Sequence, residues 1–397
     1  MTAINSNSTS SWTQTKYAKT VASLVFTRSV AMSLANTELL SSMPDGDTIV
    51  RATTSFLGIQ TYTPNNTVTY SDLSLGNESL VINDTPMVAF TLDRISADDA
   101  GWNIKQNTME NVAKLLREYL DGKFFNQVLN AGYSHNGGVA VTISKTTAYD
   151  EYSNAIAGAI NNGADEMNLV LVTDAFQEAA IGQNAVNSTF ALSDGTFVAG
   201  YTNKRVGSAE LYRSENLTMV GTFIFGATPT DGDVVKINGY QFTMKTTLGA
   251  TAGQVLIGAN ATASGANLAA AINGTTPGTS HVALSASDRN KFMRSFSATA
   301  STGTVTFTSR RGYRGASAFT KTMTSASNKF GAFTIYNVVM QKGAINLVLR
   351  DSVESVNGRI PGSTTYEYLT WSRFGLKVFS DGAEVMVLIP VIARAAE

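Results

Sequence analysis

The side chains best suited to acid–base or metal chemistry in this chain are two histidines, His135 and His281, and there is no cysteine. The two histidines fall in different predicted domains, one in a loop-like segment and one in a strand-like segment. The sequence has no His-Glu-x-x-His run, no Gly-x-Ser-x-Gly turn and no Lys-containing phosphate loop. The lack of cysteine removes disulfides, thiolate metal sites and cysteine nucleophiles. We therefore expect structural histidines, no catalytic residue, no metal and no cofactor.

Paired carboxylates are the other catalytic possibility, because two of them can carry out glycoside hydrolysis. They occur at Asp98/Asp99, Asp150/Glu151 and Asp165/Glu166. All three pairs fall at predicted helix starts or turns, where capping and the helix dipole explain them. An enzyme of this kind stays an alternative, and it predicts a deep pocket with perturbed pKa values.

Basic residues are concentrated in one segment. Residues 222–334 contain ten Lys and Arg but three Asp and Glu, while the rest of the chain contains 19 and 27. The candidate basic surface cluster is Arg289, Lys291, Arg294, Arg310, Arg311 and Arg314. Such a cluster suits nucleic acid, an anionic polysaccharide or an acidic partner, or it is simply a solvated face. The change in charge predicts that residues 222–334 form a separately folded insert.

Composition indicates a globular protein, and its low charge suits either a protein that covers much of its surface with copies of itself or a highly expressed β-rich protein. Of the 397 residues, 43% are hydrophobic and only 15% are charged. Charge is depleted at the cores of protein interfaces, which favours an assembling protein. We see no signal peptide at the start of the sequence and no apolar run long enough to span a membrane.

Hydrophobic periodicity predicts the elements. Residues 45–56 predict a strand, and residues 57–92 predict an extended two-stranded excursion with a Pro64-Asn65-Asn66 turn near its tip. The excursion has too few bulky apolar residues for a core of its own, so we expect it to lie on another surface. Ser96 to Gly132 predicts a helix about 40 Å long, with a Ser96-x-x-Asp99 capping box and Gly132 as C-cap.

The remaining segments predict mixed α/β structure. Helices are expected at Tyr149–Asn161 and Asp174–Gly182, the second capped by Asp174, with a strand at Met167–Thr173 and short β segments in 197–211. The insert predicts a hairpin around Asn238-Gly239, a helix at 262–273, and strands at HVALSAS and STGTVTFTSR. A helix is expected to lead into KGAINLVLR, followed by strands near 371–379 and 384–392.

The order of these parts resembles the major capsid (coat) proteins of tailed double-stranded DNA bacteriophages, which have the HK97-like fold. The segments that carry the resemblance are DGDTIVR, TYTPNNTVTYSDL, VAFTLDRISADD, REYLDGKFFNQVL, VLVTDAFQEAA, VGSAELYRSENL, QKGAINLVLR and FGLKVFSDGAEVMVLIPV. The insert, with GDVVKING, NLAAAIN and TVTFTSRRGYRGA, is similar to small modules of phage surface proteins and flagellar cap proteins. The resemblance covers residues 10–220 and 335–397.

The resemblance implies an α+β HK97-like capsid fold with a mainly-β insertion domain. It divides the chain into an N-terminal arm (1–44), extended loop and peripheral strands (45–95), spine helix and peripheral domain (96–145), first axial part (146–221), insert (222–334), and axial return with peripheral strands (335–397). The arm of Gly58–Leu92 and the spine helix would carry the intersubunit contacts. Candidate contact residues are Tyr62, Pro64, Asn65, Tyr70, Asp72, Arg117 and Asp121.

The same resemblance implies hexamers and pentamers of an icosahedral phage head, assembled in the host cytoplasm. The implied partners are copies of the chain itself, a portal, a separate scaffold protein, and packaged double-stranded DNA bound without sequence specificity. The insert is expected to project outward, so that deleting Thr222–Thr334 leaves assembly intact. The alternative is a filament or adhesin-type surface protein with a flagellar-like module, although a C-terminal strand argues against paired terminal helices.

Overall fold

The structure is a computed structural model that describes residues 18–39, 47–54, 75–93, 104–187, 205–285, 288–289, 292, 296–309, 318–359 and 365–395. The α-helices are α1 (18–28), α2 (Val30–Leu34), α3 (Ile104–Gln127), α4 (Ala148–Asn161), α5 (Ala175–Asn187), α6 (Ala261–Asn273) and α7 (Ser380–Glu384). The strands are β1 (Thr48–Thr54), β2 (Leu75–Val81), β3 (Met87–Asp93), β4 (Tyr133–Ser134), β5 (Leu169–Thr173), β6 (Arg205–Val206), β7 (Ala209–Arg213), β8 (Met219–Phe225), β9 (Val234–Ile237), β10 (Tyr240–Lys245), β11 (Gln254–Leu256), β12 (Phe296–Ser301), β13 (Thr304–Ser309), β14 (Thr320–Thr322), β15 (Asn328–Phe330), β16 (Phe333–Gln341), β17 (Ile345–Arg359), β18 (Thr365–Val378) and β19 (Met386–Arg394).

The chain divides into two compact units. The first contains Met1–Leu120 and Gly343–Phe379, and the second contains Asp121–Lys342 and Ser380–Glu397. Helix α3 supplies residues to both. The insert lies in the second unit together with the predicted axial segments, and its separate folding stays a prediction.

A three-stranded antiparallel sheet and two helices form much of the first unit. The strand order is β17-β18-β3, and β18 pairs with β3 from Thr365↔Asp93 to Trp371↔Met87. Alternate side chains of the sheet face α1 and α3, as the twofold side-chain period of a strand requires. The buried residues of this core are Val21, Val25, Val112, Ala113, Leu116 and Val353.

Strand β2, which lies in the described part of the predicted excursion, forms a two-stranded antiparallel ribbon with β1. Strand β1 pairs with β2 from Thr48↔Val81 to Thr54↔Leu75, so the first strand is the one predicted for residues 45–56. Strand β3 instead joins β18. The predicted turn at Pro64-Asn65-Asn66 lies outside the described residues. We call β1 and β2 together the arm.

The long helix is confirmed, whereas its predicted C-cap is wrong. Helix α3 ends at Gln127 and continues as a 3-10 turn, Val128–Asn130. Gly132 lies beyond this turn, where its N–H donates to Ala383 O at 2.9 Å. A Cβ at Gly132 would come within 2.8 Å of the same oxygen, so the glycine is required by close packing of two backbones. The predicted cap residues Ser96 and Asp99 lie outside the described residues.

The second unit is built on a large mixed sheet. Its main order is β12-β13-β8-β16-β5-β7-β6; β19 pairs with β16 and β4, and β15 with β8. Helices α4 and α5 begin where the sequence predicted, and α5 continues past the predicted end at Gly182 to Asn187. Asp174 is the predicted cap of α5: its carboxylate accepts hydrogen bonds from Phe176 N at 2.8 Å and Gln177 N at 2.9 Å. The core contains Tyr152, Ile156, Leu171, Val339 and Ile389 among other buried residues.

The insert is joined to this sheet by two continuous strands. Thr222 lies inside β8 and Thr334 inside β16, and the strands pair at Thr334↔Val220 and Ile335↔Met219. The predicted Asn238-Gly239 hairpin turn is confirmed, with φ of 53° and 82° at its two residues. A phenylalanine core binds the insert strands together: Phe223, Phe225, Phe242, Phe292, Phe296, Phe307, Phe319, Phe330 and Phe333.

Two predicted elements are wrong. HVALSAS forms no strand over its described residues 281–285, where His281 alone makes isolated bridges. KGAINLVLR is not preceded by a helix, because residues 333–341 form strand β16 and Gly343, with φ of 88°, turns the chain into β17. The apolar run 338–340 is buried within the sheet, and such a run cannot be assigned by period alone.

Candidate assembly surfaces

The base of the arm is fixed by a small hydrophobic core. Ile49 and Leu80, which face each other across the two strands, are buried with Ile82, Val348 and Phe379. The inward face of the ribbon is therefore anchored on β17 and the end of β18. Burial of these apolar side chains stabilises the position of the base of the arm.

Charged side chains reinforce this anchor. The Asp47 carboxylate lies 2.7 Å from Arg373 and also contacts Arg350. Arg51 and Lys377 both lie over the Phe379 ring, at 5.1 Å and 5.5 Å from its centroid. Cation–π contacts of this kind add to the burial of the ring.

Two faces of the first unit present apolar side chains to solvent. Val50 and Val81 lie on the outer face of the arm, and Val50 is 61% exposed. On the three-stranded sheet, Val356, Leu369 and Ala89 form one cross-strand row, and Met87, which is 63% exposed, lies beside it on the same face. Apolar patches of this kind on adjoining strands are typical of surfaces that a partner covers.

Helices α1 and α3 form a polar groove within the first unit. It has a volume of about 170 Å³ and is lined by Leu24, Arg28, Glu110, Asn111, Ala113, Lys114 and Arg117. The predicted contact residue Arg117 therefore lies in a concave surface that is open to a partner. The other predicted contact residue on this helix, Asp121, is only 3% exposed, and its role in binding a neighbour stays a prediction.

The structure does not test most of the sequence-predicted contact residues. Tyr62, Pro64, Asn65, Tyr70 and Asp72 lie outside the described residues. Of the basic cluster, Arg289 is described and exposed, and it lies close enough to His281 to lower the pKa of that imidazole. Lys291, Arg294, Arg310, Arg311 and Arg314 lie outside the described residues. Whether these six residues form one patch stays a prediction.

Both histidines have structural surroundings. His135 Nε2 lies 2.8 Å from Glu151 Oε2, which ties the loop after α3 to the start of α4. His281 is buried, with Nδ1 3.0 Å from Ser280 Oγ, and burial is the main reason that its pKa is lowered. Glu151, a member of one candidate acidic pair, is thus hydrogen-bonded to His135.

A buried polar network in the second unit was not predicted from the sequence. Tyr152 OH donates to Gln177 Oε1 at 3.0 Å and accepts from Asn337 Nδ2 at 2.8 Å, and Asn337 also donates to Gln177. Burial, followed by the charge of Asp174, raises the pKa of Tyr152 well above its ordinary value. The one available signal was an asparagine within the apolar run Tyr336–Met340. Because these side chains are buried, they lock α4 and α5 onto β16 and offer no substrate access.

Other kinds of site find no support in the part of the chain that the structure describes. There, no group of three or more His, Asp or Glu side chains is placed to hold a metal ion. None of the described helices is long and apolar enough to cross a membrane. The segment Met386–Arg394 is a strand of the large sheet and pairs with β16.

Comparisons with known proteins agree with the architecture. No family model matches the chain, and no curated protein matches it. A solved structure from Mycobacterium phage Che8 matches over 91% of both chains, with a TM-score of 0.52 and 13% identity. The mature capsid of bacteriophage PhiM1 matches over 92% of this chain and 87% of the other, at a TM-score of 0.48 and 8% identity. The capsid of Ralstonia phage GP4 matches over 91% of this chain and 87% of the other, with a TM-score of 0.46 and 10% identity.

At 13% identity, the Che8 likeness is a likeness of fold, and it extends over nearly the whole chain. This chain has the α+β HK97-like fold of the major capsid proteins of tailed bacteriophages.

Proposed function

We propose that this protein is a structural major capsid protein that assembles into the hexamers and pentamers of an icosahedral phage head around double-stranded DNA. The observation that carries the proposal is the fold, in which the described part of the arm is anchored at its base by a small hydrophobic core and the chain contains a helix of 24 residues. An arm of this form is stabilised when its outer part packs on a second copy.

The exposed apolar side chains support the same proposal. Val50 and Val81 on the arm, and Met87 and Leu369 on the three-stranded sheet, would lose contact with water on assembly. Obligate interfaces commonly bury more than about 2,000 Å², which offsets the entropy lost when subunits associate. In the proposed role the protein has no catalytic activity, and the polar side chains of its interior stabilise the fold.

The proposed partners follow from this role. Copies of the chain come first, followed by a portal, a separate scaffold protein and the packaged DNA, with assembly in the host cytoplasm. Outside the insert, acidic residues outnumber basic ones by 27 to 19. A net negative body avoids strong attraction to DNA phosphates, which suits a shell from which DNA must later leave.

Electron microscopy of the purified protein, after sizing by light scattering and with or without a candidate scaffold, tests the proposal. Closed shells, or isolated hexamer and pentamer rings, are the expected result. Removing Pro64–Asp72, which lies between β1 and β2 in the sequence, should abolish these particles and leave a soluble, folded subunit. An equal deletion of residues 188–196 provides a length-matched comparison. A stable monomer in every condition would contradict a capsid role.

For the insert, we propose a position on the outer surface of the shell, where its basic residues decorate the particle or contact neighbouring capsomers. Residues 275–279 form an exposed loop of the insert, and Gly278 has open space around its Cβ position. An epitope tag in this loop should bind antibody on intact shells. Binding that appears only after the shells are disrupted would place the insert inside.

A further inference from the structure

His281 closes a tight loop of the insert. The imidazole is 2% exposed, whereas residues 275–279, just before it in the chain, are all exposed. Ser280 Oγ is 3.0 Å from His281 Nδ1, 3.0 Å from Thr276 Oγ1 and 3.1 Å from Thr276 O. Gly278 N donates to His281 O at 2.7 Å. The side chain and the backbone of His281 therefore both hold residues 274–280, which we call the histidine loop.

The backbone of the histidine loop is strained. Thr276 has a φ of 55°, between Gly274 at 65° and Gly278 at 85°. Glycine adopts such angles readily, whereas a β-branched residue there is a clear outlier. A strained residue persists only where the contacts around it hold it, and here those contacts are the hydroxyl and main-chain bonds to Ser280. Loss of the contacts that His281 makes would therefore favour opening of the loop.

The elements around His281 supply little charge to balance a proton on its imidazole. His281 makes isolated bridges to Val255 of β11 and to Pro277. Strand β11, the helix α6 that packs on it and the histidine loop contain no titratable side chain. Over the described residues, the titratable side chains on β10, which pairs with β11, and in the segment after His281 are Tyr240, Lys245, Asp288 and Arg289.

These four side chains do not offset a positive charge on His281. Lys245 is paired with Asp231 at 2.9 Å, and Asp288 accepts a hydrogen bond from a serine hydroxyl of its own turn at 2.8 Å. Burial lowers the pKa of His281, and the positive charge of Arg289 lowers it further. A proton on His281 in the closed loop would therefore be a buried charge under the influence of a second cation.

We propose that His281 is a pH-sensitive switch in the insert: when its imidazole takes up a proton, the histidine loop opens and His281 reaches solvent. The pKa of His281 in the closed loop lies below its ordinary 6.5, so the open loop binds a proton more tightly. The closed loop is therefore fully favoured above the ordinary pKa and loses stability as the pH falls. Since one proton is taken up, the ratio of open to closed loops rises by at most about tenfold per pH unit.

Hydrogen exchange of the unassembled wild-type subunit tests the switch. Exchange is measured from about pH 8 to about pH 5, the range in which histidine changes charge, and is divided by the intrinsic rate of each amide at that pH. The amides of Gly278 and Ser280, which donate to His281 O and Thr276 O, should lose protection in acid. Gly239 N, which donates to Ala318 O elsewhere in the insert, should keep its protection. Unchanged protection at Gly278 and Ser280, or an equal loss at Gly239, would overturn the inference.

Three variants show whether the imidazole is the group responsible. His281→Gln retains a hydrogen-bonding side chain that cannot take up a proton, so its loop should no longer respond to pH. The chain has two histidines, and His135→Gln is the matched control that should respond like the wild type. Arg289→Gln removes the exposed cation, so it should raise the pKa of His281 and reduce opening in acid. A loop of His281→Gln that still opens in acid would contradict the inference.

An NMR titration of the wild-type protein provides a second measurement if His281→Gln does not fold. The imidazole of His281 should titrate below pH 6.5, and the resonances of the histidine loop should change over the same pH range. Titration at or above that value without a change in the loop would show that no switch exists. Both measurements use single subunits, so their failure leaves the capsid role intact, and a protein that forms no shells can still have the switch.

Discussion

Phe379 is expected to determine how firmly the arm is held. Its ring is fully buried against Ile49, Leu80 and other residues of the arm base, and two cations lie over it. Replacing a buried Phe by Ala lowers stability by about 3–5 kcal/mol. Because each cation–π contact adds about 0.5–1 kcal/mol, we expect Phe379→Ala to reach the upper half of that range, about 4–5 kcal/mol.

Hydrogen exchange of the unassembled subunit measures the loss of stability of Phe379→Ala at the arm. A loss of about 4 kcal/mol corresponds to roughly a thousandfold faster exchange, since about 1.4 kcal/mol is a factor of ten. The amides of β1 and β2 should show this change, while those of β13 in the other unit keep their protection. Assembly should also weaken, because the arm no longer has one fixed direction.

Two further variants separate burial from the ring contacts. Phe379→Leu keeps an apolar side chain but loses the aromatic ring, so it should lower stability by about 1–2 kcal/mol. Phe176→Ala is the matched comparison, because Phe176 is 68% exposed and its loss should change stability by less than about 0.5 kcal/mol. Unchanged exchange in β1 and β2 of Phe379→Ala would refute the anchoring role.

Three other predictions concern Gly132, Asp174 and Phe319 in the second unit. Gly132→Ala should lower the unfolding free energy by about 1–3 kcal/mol, because the new Cβ would collide with Ala383 O. Gly158→Ala should raise the unfolding free energy by about 0.5–1 kcal/mol, because Gly158 lies inside α4 and has open space around its Cβ position. Urea unfolding of both variants shows whether the two changes in unfolding free energy have opposite signs. Burial raises the pKa of Asp174 above its ordinary 3.8, so the folded state binds a proton more tightly and loses stability as pH rises from about 4 through the native pKa. Asp174→Asn keeps the helix cap and should flatten that decline in urea unfolding from pH 4 to 7; an unchanged slope would show that another group is responsible. Phe319→Ala should lower stability by about 3–5 kcal/mol in one cooperative transition, since the insert shares a sheet with the rest of its unit, and a separate early transition would contradict that coupling.

Local signals in the sequence were sufficient to predict those helices and turns that depend on residues close together in the chain. The stripe of apolar residues predicted α3, Asp174 predicted the start of α5, and Asn238-Gly239 predicted the hairpin of the insert. These signals act over a few residues, through side-chain period, capping hydrogen bonds and permitted φ values. The order of such elements was also enough to suggest the HK97-like fold.

Where the sequence was misread, contacts between distant residues decided the structure. Gly132 resembled a helix cap, but the nearby backbone of Ala383 is what requires a glycine there. The helix expected before KGAINLVLR is strand β16, because β5, β8 and β19 pair with it. An apolar run has no period that separates a buried strand from a buried helix, so its partners determine its form.

The sequence by itself predicted the HK97-like fold through the order of its elements, and its composition showed a basic insert between acidic flanks. The tertiary structure decided how those parts are joined. Phe223 and Phe333 are far apart in the chain, yet both belong to the phenylalanine core that makes the insert continuous with the large sheet. Likewise, Arg28 and Arg117 share a groove only because α1 packs on α3. Burial and charge pairing depend on distances in space, which residue spacing along a chain does not specify.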